Sequence, residues 1–161
     1  MNLGPEPRLK TAEEMVPKLP FFVYGTLKIG QSNERVASPF MDYYQDATLI
    51  SEHFALHTGP AFPMLVRDTK GVHCRVKGHL IWIKDDRYYA ALSSMDTLEG
   101  VRNDFYQRIK ALCQVETSEH PVPCWVYIAG VQLAQTARSV YPYIKDGEWQ
   151  PGLYLNDEGG I

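Results

Sequence analysis

Between residues 72 and 82 the chain alternates strictly. Val72, Cys74, Val76, Gly78, Leu80 and Trp82 fall on one side of an extended backbone, and His73, Arg75, Lys77 and His79 fall on the other. A period of two sustained this long marks a strand with one packed and one wet face, as antiparallel sheets usually have. Such a strand needs neighbours, and the flanking sequence supplies them. Ala47-Thr48-Leu49-Ile50 and then Phe54-Ala55-Leu56 read as one strand with an irregular middle, stopped by Thr58-Gly59-Pro60. Met64-Leu65-Val66 is a short strand before the turn Asp68-Thr69-Lys70-Gly71. A strand resumes at Phe105, with Ile109, Ala111, Cys113 and Val115 on one side and Tyr106, Arg108 and Lys110 on the other. After a Glu119-His120-Pro121 turn, residues 124–128 form the second arm of a hairpin.

Helices are fewer. Residues 31–40 are polar with Val36 and Phe40 four apart, which predicts a short amphipathic helix over one end of the fold. Asp85-Asp86 opens a second, in which Tyr88, Leu92 and Met95 follow helical spacing and Gly100 closes the helix at C′. The fold class expected is α+β: a small antiparallel or mixed β-barrel with peripheral helices. Residues 1–20, with prolines at 5, 7, 17 and 20 and a capping-box pattern at Thr11 and Glu14, read as an N-terminal arm. Residues 21–161 read as a single domain, ending in an aromatic-rich wrap that contains Tyr141, Tyr143, Trp149 and Tyr154.

Composition narrows the function classes. A chain of 161 residues, 45% hydrophobic, folds without staples. The net charge of −3 and the absence of any basic block argue against nucleic acid and favour a small neutral or zwitterionic ligand. Cys74, Cys113 and Cys124 are odd in number and lack C-x-x-C spacing, so neither a disulfide framework nor a zinc site is expected. The pairs His53 with His57 and His73 with His79 share strand faces but lack a third ligand, so no metal and no cofactor is expected. No apolar run approaches ~18 residues, and the N-terminus has no apolar signal core, which reads as a soluble cytoplasmic protein without a membrane partner.

Chemistry concentrates in two places. The run Phe21-Phe22-Val23 ends in Tyr24-Gly25-Thr26-Leu27-Lys28, so a buried strand enters a tight, Gly-hinged loop. Gly25 has no side chain to hold a ligand away and can take a positive φ, so the following amides can converge on a carboxylate or oxyanion. A plain strand end with a turn glycine is the simpler alternative. Glu99, in the last turn of its helix, meets the negative end of the macrodipole, which raises its pKa and marks it as a candidate acid/base; an exposed Glu in a frayed turn is the alternative. Tyr106 and Arg108 share a strand face a few residues later, within reach of that carboxylate if the face lines a cavity mouth. Asp96 is accounted for as solvated or as a partner of Arg102 or Arg108.

Tyr24-Gly25-Thr26-Leu27-Lys28-x-Gly30, followed by Met95-Asp96-Thr97-Leu98-Glu99-Gly100 and then Tyr106-x-Arg108, resembles the gamma-glutamylcyclotransferase-like superfamily, which includes the AIG2-like proteins. Lys28, Gly30, Gln31 and Asn33 together look most like the gamma-glutamylamine cyclotransferase branch. The resemblance implies a cyclotransferase that releases 5-oxoproline from a gamma-glutamyl amine or amino acid. Tyr24, Gly25, Thr26, Leu27 and Lys28 would bind the glutamyl part, Glu99 would be the acid/base, Tyr106 and Arg108 would support it, and no cofactor would be needed. A catalytically silent AIG2-like binding domain is the second reading. A degenerate P-loop across residues 25–32 is the third, weakened because Gln31 stands where that motif needs Lys.

Overall fold

Phe21-Phe22-Val23 is an unbroken apolar run because its strand is covered on both faces. The computed structural model describes residues 16–50, 54–59, 61–67 and 75–151. In chain order the elements are β1 (Phe21–Val23), α1 (Glu34–Ala37), β2 (Met41–Leu49), β3 (Phe54–Thr58), β4 (Pro63–Arg67), β5 (Lys77–Ile83), α2 (Tyr88–Leu98), β6 (Tyr106–Gln114), β7 (Val122–Ala129) and α3 (Val131–Val140). Five strands close into a mixed barrel in the order β1-β5-β2-β6-β7, with β1 antiparallel to β5 and parallel to β7. The fold is the expected α+β barrel with peripheral helices.

Alternation divides the apolar side chains between two layers. Phe22, Leu49, Leu80, Cys113, Val126 and Ile128 point into the barrel. Phe21, Val23, Ile81, Trp125 and Tyr127 point outward, where Tyr88, Leu92 and Met95 of α2 cover them. Each fully buried side chain of this size contributes roughly 1.5–3 kcal/mol. The outer layer explains why the β5 alternation is not a simple dry and wet pair: Ile81 is fully buried beneath α2. The strand begins at Lys77, and positions 72–74 of the alternation lie outside the described residues.

Three further expectations are revised. Residues 47–56 are not one strand: β2 ends at Leu49, and Phe54 starts a separate hairpin, β3–β4, paired from Phe54↔Arg67 to Thr58↔Pro63. The predicted helix over 31–40 shrinks to the four residues of α1 and a 3₁₀ turn at Ser38–Phe40, where Pro39 lacks the amide a longer helix needs. The helix from Asp85 begins as a 3₁₀ turn and becomes α-helical at Tyr88. α3 is an addition to the expected plan; its buried face is the pair Ala134 and Ala137, packed on Ala55, Met64 and Val66 of the hairpin.

Both ends of the described chain pack onto the barrel. The Trp125 indole N–H donates to the Pro17 carbonyl at 3.1 Å, and Val16 and Leu19 lie against the α2 layer. The capping-box pattern at Thr11 and Glu14 lies outside the described residues. Beyond α3, Ile144 and Trp149 join the barrel's interior cluster, so this part of the tail closes the core, while Tyr154 of the expected aromatic wrap lies outside the described residues.

Candidate active site

Two glycines bring the motifs together. Gly25 does not have a positive φ; it is required by proximity, because a Cβ there would lie 2.7 Å from Cγ of Pro63 at the start of β4. The loop can therefore press against the hairpin. Gly100 has φ 63 and ends α2 in the left-handed conformation reserved for small residues at C′. The chain then turns through Val101–Asn103, and the Tyr106 amide donates back to the Glu99 carbonyl at 3.1 Å. Asp104 stabilises this return: its carboxylate accepts from Gln107 Nε2 and from the Val131 amide at the start of α3. Those hydrogen bonds, that from Gln107 first, hold its pKa below the usual value.

The result is a cleft of about 320 Å³. Its floor is the loop from Tyr24 to Leu27, one wall carries Leu98 and Glu99, and Phe62, Pro63, Phe105, Tyr106 and Tyr127 complete it. Among the described residues, the amides of Gly25, Thr26 and Leu27 have no acceptor within the protein. Asn33 braces the loop, its amide donating to the Thr26 carbonyl at 2.8 Å and its Nδ2 to Thr26 Oγ1 at 2.9 Å. A rigid row of open N–H groups suits a carboxylate or developing oxyanion.

Glu99 is half-buried beside that row, and among the described residues no donor or cation meets its carboxylate. Burial alone raises its pKa, from 4.5 to about 7. The cause is desolvation of the carboxylate. The three neighbouring tyrosines do not relieve it, because their hydroxyls are committed elsewhere. Tyr24 donates to the Tyr127 carbonyl, Tyr106 to the Pro63 carbonyl at 2.9 Å, and Tyr127 to Asp96 at 2.7 Å. Burial and the field of Glu99 raise the pKa of Tyr106 well above its ordinary value.

A raised carboxyl pKa has a consequence for stability. Between pH 4.5 and about 7 the folded chain holds a proton that the unfolded chain has released. The stability linked to Glu99 is fully present below pH 4.5 and is lost as the pH rises through about 7. Glu99→Gln does not titrate, so its stability relative to wild type should increase by on the order of 2–3 kcal/mol between pH 4 and pH 8. Denaturant unfolding of both proteins at the two pH values measures this, and an unchanged difference would contradict the burial of the carboxylate.

Two residues expected in the site lie outside the cleft. Lys28 is 4% exposed, but its ammonium turns away and donates to the Trp149 carbonyl at 2.9 Å; burial lowers its pKa, partly opposed by Glu148. Arg108 pairs with Asp96 at 2.9 Å and stacks 4.5 Å above the Trp125 ring, so its charge is already matched. Conversely, Tyr127, Phe62 and Pro63 line the cleft although no sequence motif marks them. Their only sequence signal is apolar character within strands and turns. His79, read as an ordinary sheet histidine, accepts the Ile29 amide on Nδ1 at 3.1 Å and so fixes the far end of the loop. The loop over residues 25–32 leads into a four-residue helix from a barrel strand, unlike the parallel sheet and long helix of a P-loop. Among the described residues no cluster of three His, Cys, Asp or Glu side chains forms a metal site, and no helix is long and apolar enough to cross a membrane.

Comparison with known proteins agrees with this architecture. A family model described as "Gamma-glutamyl cyclotransferase, AIG2-like" matches residues 21–151. Among solved structures, an AIG2-like protein from Mus musculus superposes with a TM-score of 0.63 at 24% identity, covering 82% of this chain and 88% of that one. A structure titled gamma-glutamyl cyclotransferase gives a TM-score of 0.51 at 17% identity, over 78% of this chain and 69% of that one. A protein from Arabidopsis thaliana gives 0.52 at 21% identity, over 88% and 74%. At these identities the likeness is one of fold. No curated protein matches the sequence.

Proposed function

The chain belongs to the AIG2-like gamma-glutamyl cyclotransferase family, and on that premise we propose that it releases 5-oxoproline from a gamma-glutamyl amine or amino acid, with Glu99 as general acid/base. The observation that carries this reading is the position of Glu99: a half-buried carboxyl, unpaired among the described residues, of pKa about 7 beside three open loop amides.

The substrate supplies its own nucleophile. Its α-amine attacks the γ-carbonyl carbon, forming the lactam C–N bond and placing negative charge on the carbonyl oxygen. Glu99 takes a proton from the attacking nitrogen and delivers it to the leaving nitrogen as the original amide C–N bond breaks. Ring closure is intramolecular, so the protein has mainly to hold the reactive conformer. The Gly25, Thr26 and Leu27 amides bind the α-carboxylate or the oxyanion, and the Asn33 brace keeps them aligned. Because Glu99 must begin deprotonated, kcat/KM should rise with pH through about 7.

The test is 5-oxoproline release from a panel of gamma-glutamyl amines and gamma-glutamyl amino acids. Turnover of at least one member supports the reading. A panel that is bound but never turned over would favour a silent binding domain built on the same fold.

A further inference from the structure

The cleft also carries information about the leaving group. Phe62 and Phe105 meet edge to face with centroids 6.2 Å apart, and Phe105 meets Tyr106 in the same way at 5.4 Å. All three rings line the cleft that holds Glu99. Phe105 is held there by the backbone: its amide donates to the Gly100 carbonyl, and its Cβ packs so close to Gly100 that a Cβ on that residue would lie 2.9 Å from it. Although fixed, Phe105 remains 45% exposed and Leu98, beside it in the lining, 39% exposed. An apolar wall that is both rigid and open at a cleft mouth is a surface for an apolar ligand group.

Charge points the same way. Among the described residues lining the cleft there is no Lys, Arg or His, and Glu99 is the one carboxyl. In a gamma-glutamyl amino acid the leaving group's α-carbon is bonded directly to the scissile nitrogen. Its carboxylate therefore lies within ~6 Å of Glu99, which enters the reaction as an anion, and two like charges at that separation and an effective dielectric of about 20 differ from the neutral case by roughly 100-fold.

Building on the proposed reaction, we infer that the preferred leaving group is an uncharged arylalkyl amine, its ring seated against Phe62, Phe105 and Leu98. The cleft selects it by stacking and apolar burial and rejects leaving groups that carry an α-carboxylate.

Three substrates test this: gamma-glutamyl-2-phenylethylamide, gamma-glutamylphenylalanine, which differs from it by the carboxylate alone, and gamma-glutamylmethylamide, which lacks the ring. The phenylethylamide should exceed the phenylalanine compound in kcat/KM by roughly 100-fold and the methylamide by roughly 10- to 100-fold. Phe105→Ala should reduce the phenylethylamide-to-methylamide ratio about tenfold. Equal turnover of the phenylethylamide and the phenylalanine compound would overturn the inference and leave the cyclotransferase reading intact, as would equal turnover of the phenylethylamide and the methylamide. Absence of 5-oxoproline from all three would overturn the reading and the inference with it.

Discussion

Glu99→Gln should lower 5-oxoproline release by about 10²-fold or more, mainly in kcat, while the protein stays folded. The substitution keeps the side chain's size and removes its ability to exchange a proton. Among the described residues, no other acid/base group of suitable pKa lines the cleft: burial raises Tyr24 and Tyr106 well above their ordinary range, and their hydroxyls already donate to backbone carbonyls. The open amides remain in the variant and should preserve substrate binding and a residual rate. Steady-state kinetics with circular dichroism on both proteins separates this from misfolding. A variant as active as wild type would remove Glu99 from the mechanism.

Trp149→Ala should destabilise the fold by about 3–5 kcal/mol, the range for deleting a large buried aromatic. Trp149 is 3% exposed and belongs to the same interior cluster as Val76, Val115 and Ile144, where the tail closes the barrel. For a domain of this size the loss corresponds to a Tm lower by roughly 10 °C. Function should suffer as well, because losing the indole loosens the segment whose Trp149 backbone carbonyl holds the Lys28 ammonium next to the loop from Tyr24 to Leu27, the proposed glutamyl site. KM should therefore rise in the variant, and Trp149→Phe should restore most of both losses. Thermal unfolding checks the first effect, and a Tm within 2 °C of wild type, well below the shift of about 10 °C expected from the lost burial, would show that the tail does not close the core.

The elements most legible in the sequence were those with a strong period and clear punctuation. β6 and β7 were readable as a hairpin from alternating residues around a Pro-containing turn, and they pair from Tyr106↔Ala129 to Cys113↔Val122. Gly100 was readable as the end of α2 because the left-handed C′ position favours glycine. α3 was obscure because its fully buried residues are the small Ala134 and Ala137, with Leu133 partly buried, while Val131 and Val140 are exposed, unlike an ordinary amphipathic stripe. The break between β2 and β3 was obscure because a run of apolar residues does not say which sheet each will join.

Side-chain partners were less legible than backbone positions. Spacing puts Arg108 on the same strand face as Tyr106, but it does not reveal that Asp96 and Trp125 claim the guanidinium. Lys28 follows the loop directly, yet its long stem carries the charge to Trp149 on the other side. The position of Glu99 at a helix end is readable from the sequence, but its burial in a cleft lined by β4, β6 and β7, which raises its pKa, depends on contacts far apart in sequence.

The central claim is that the loop and Glu99 close a gamma-glutamyl amide onto its own α-amine. Turnover in water enriched in the heavy oxygen isotope tests it most directly, by mass spectrometry of the product from the best panel member. The mechanism predicts 5-oxoproline without heavy oxygen, accompanied by one equivalent of free amine. Glutamate carrying heavy oxygen in its γ-carboxylate would mean that water, not the α-amine, attacks the carbonyl, and would contradict it.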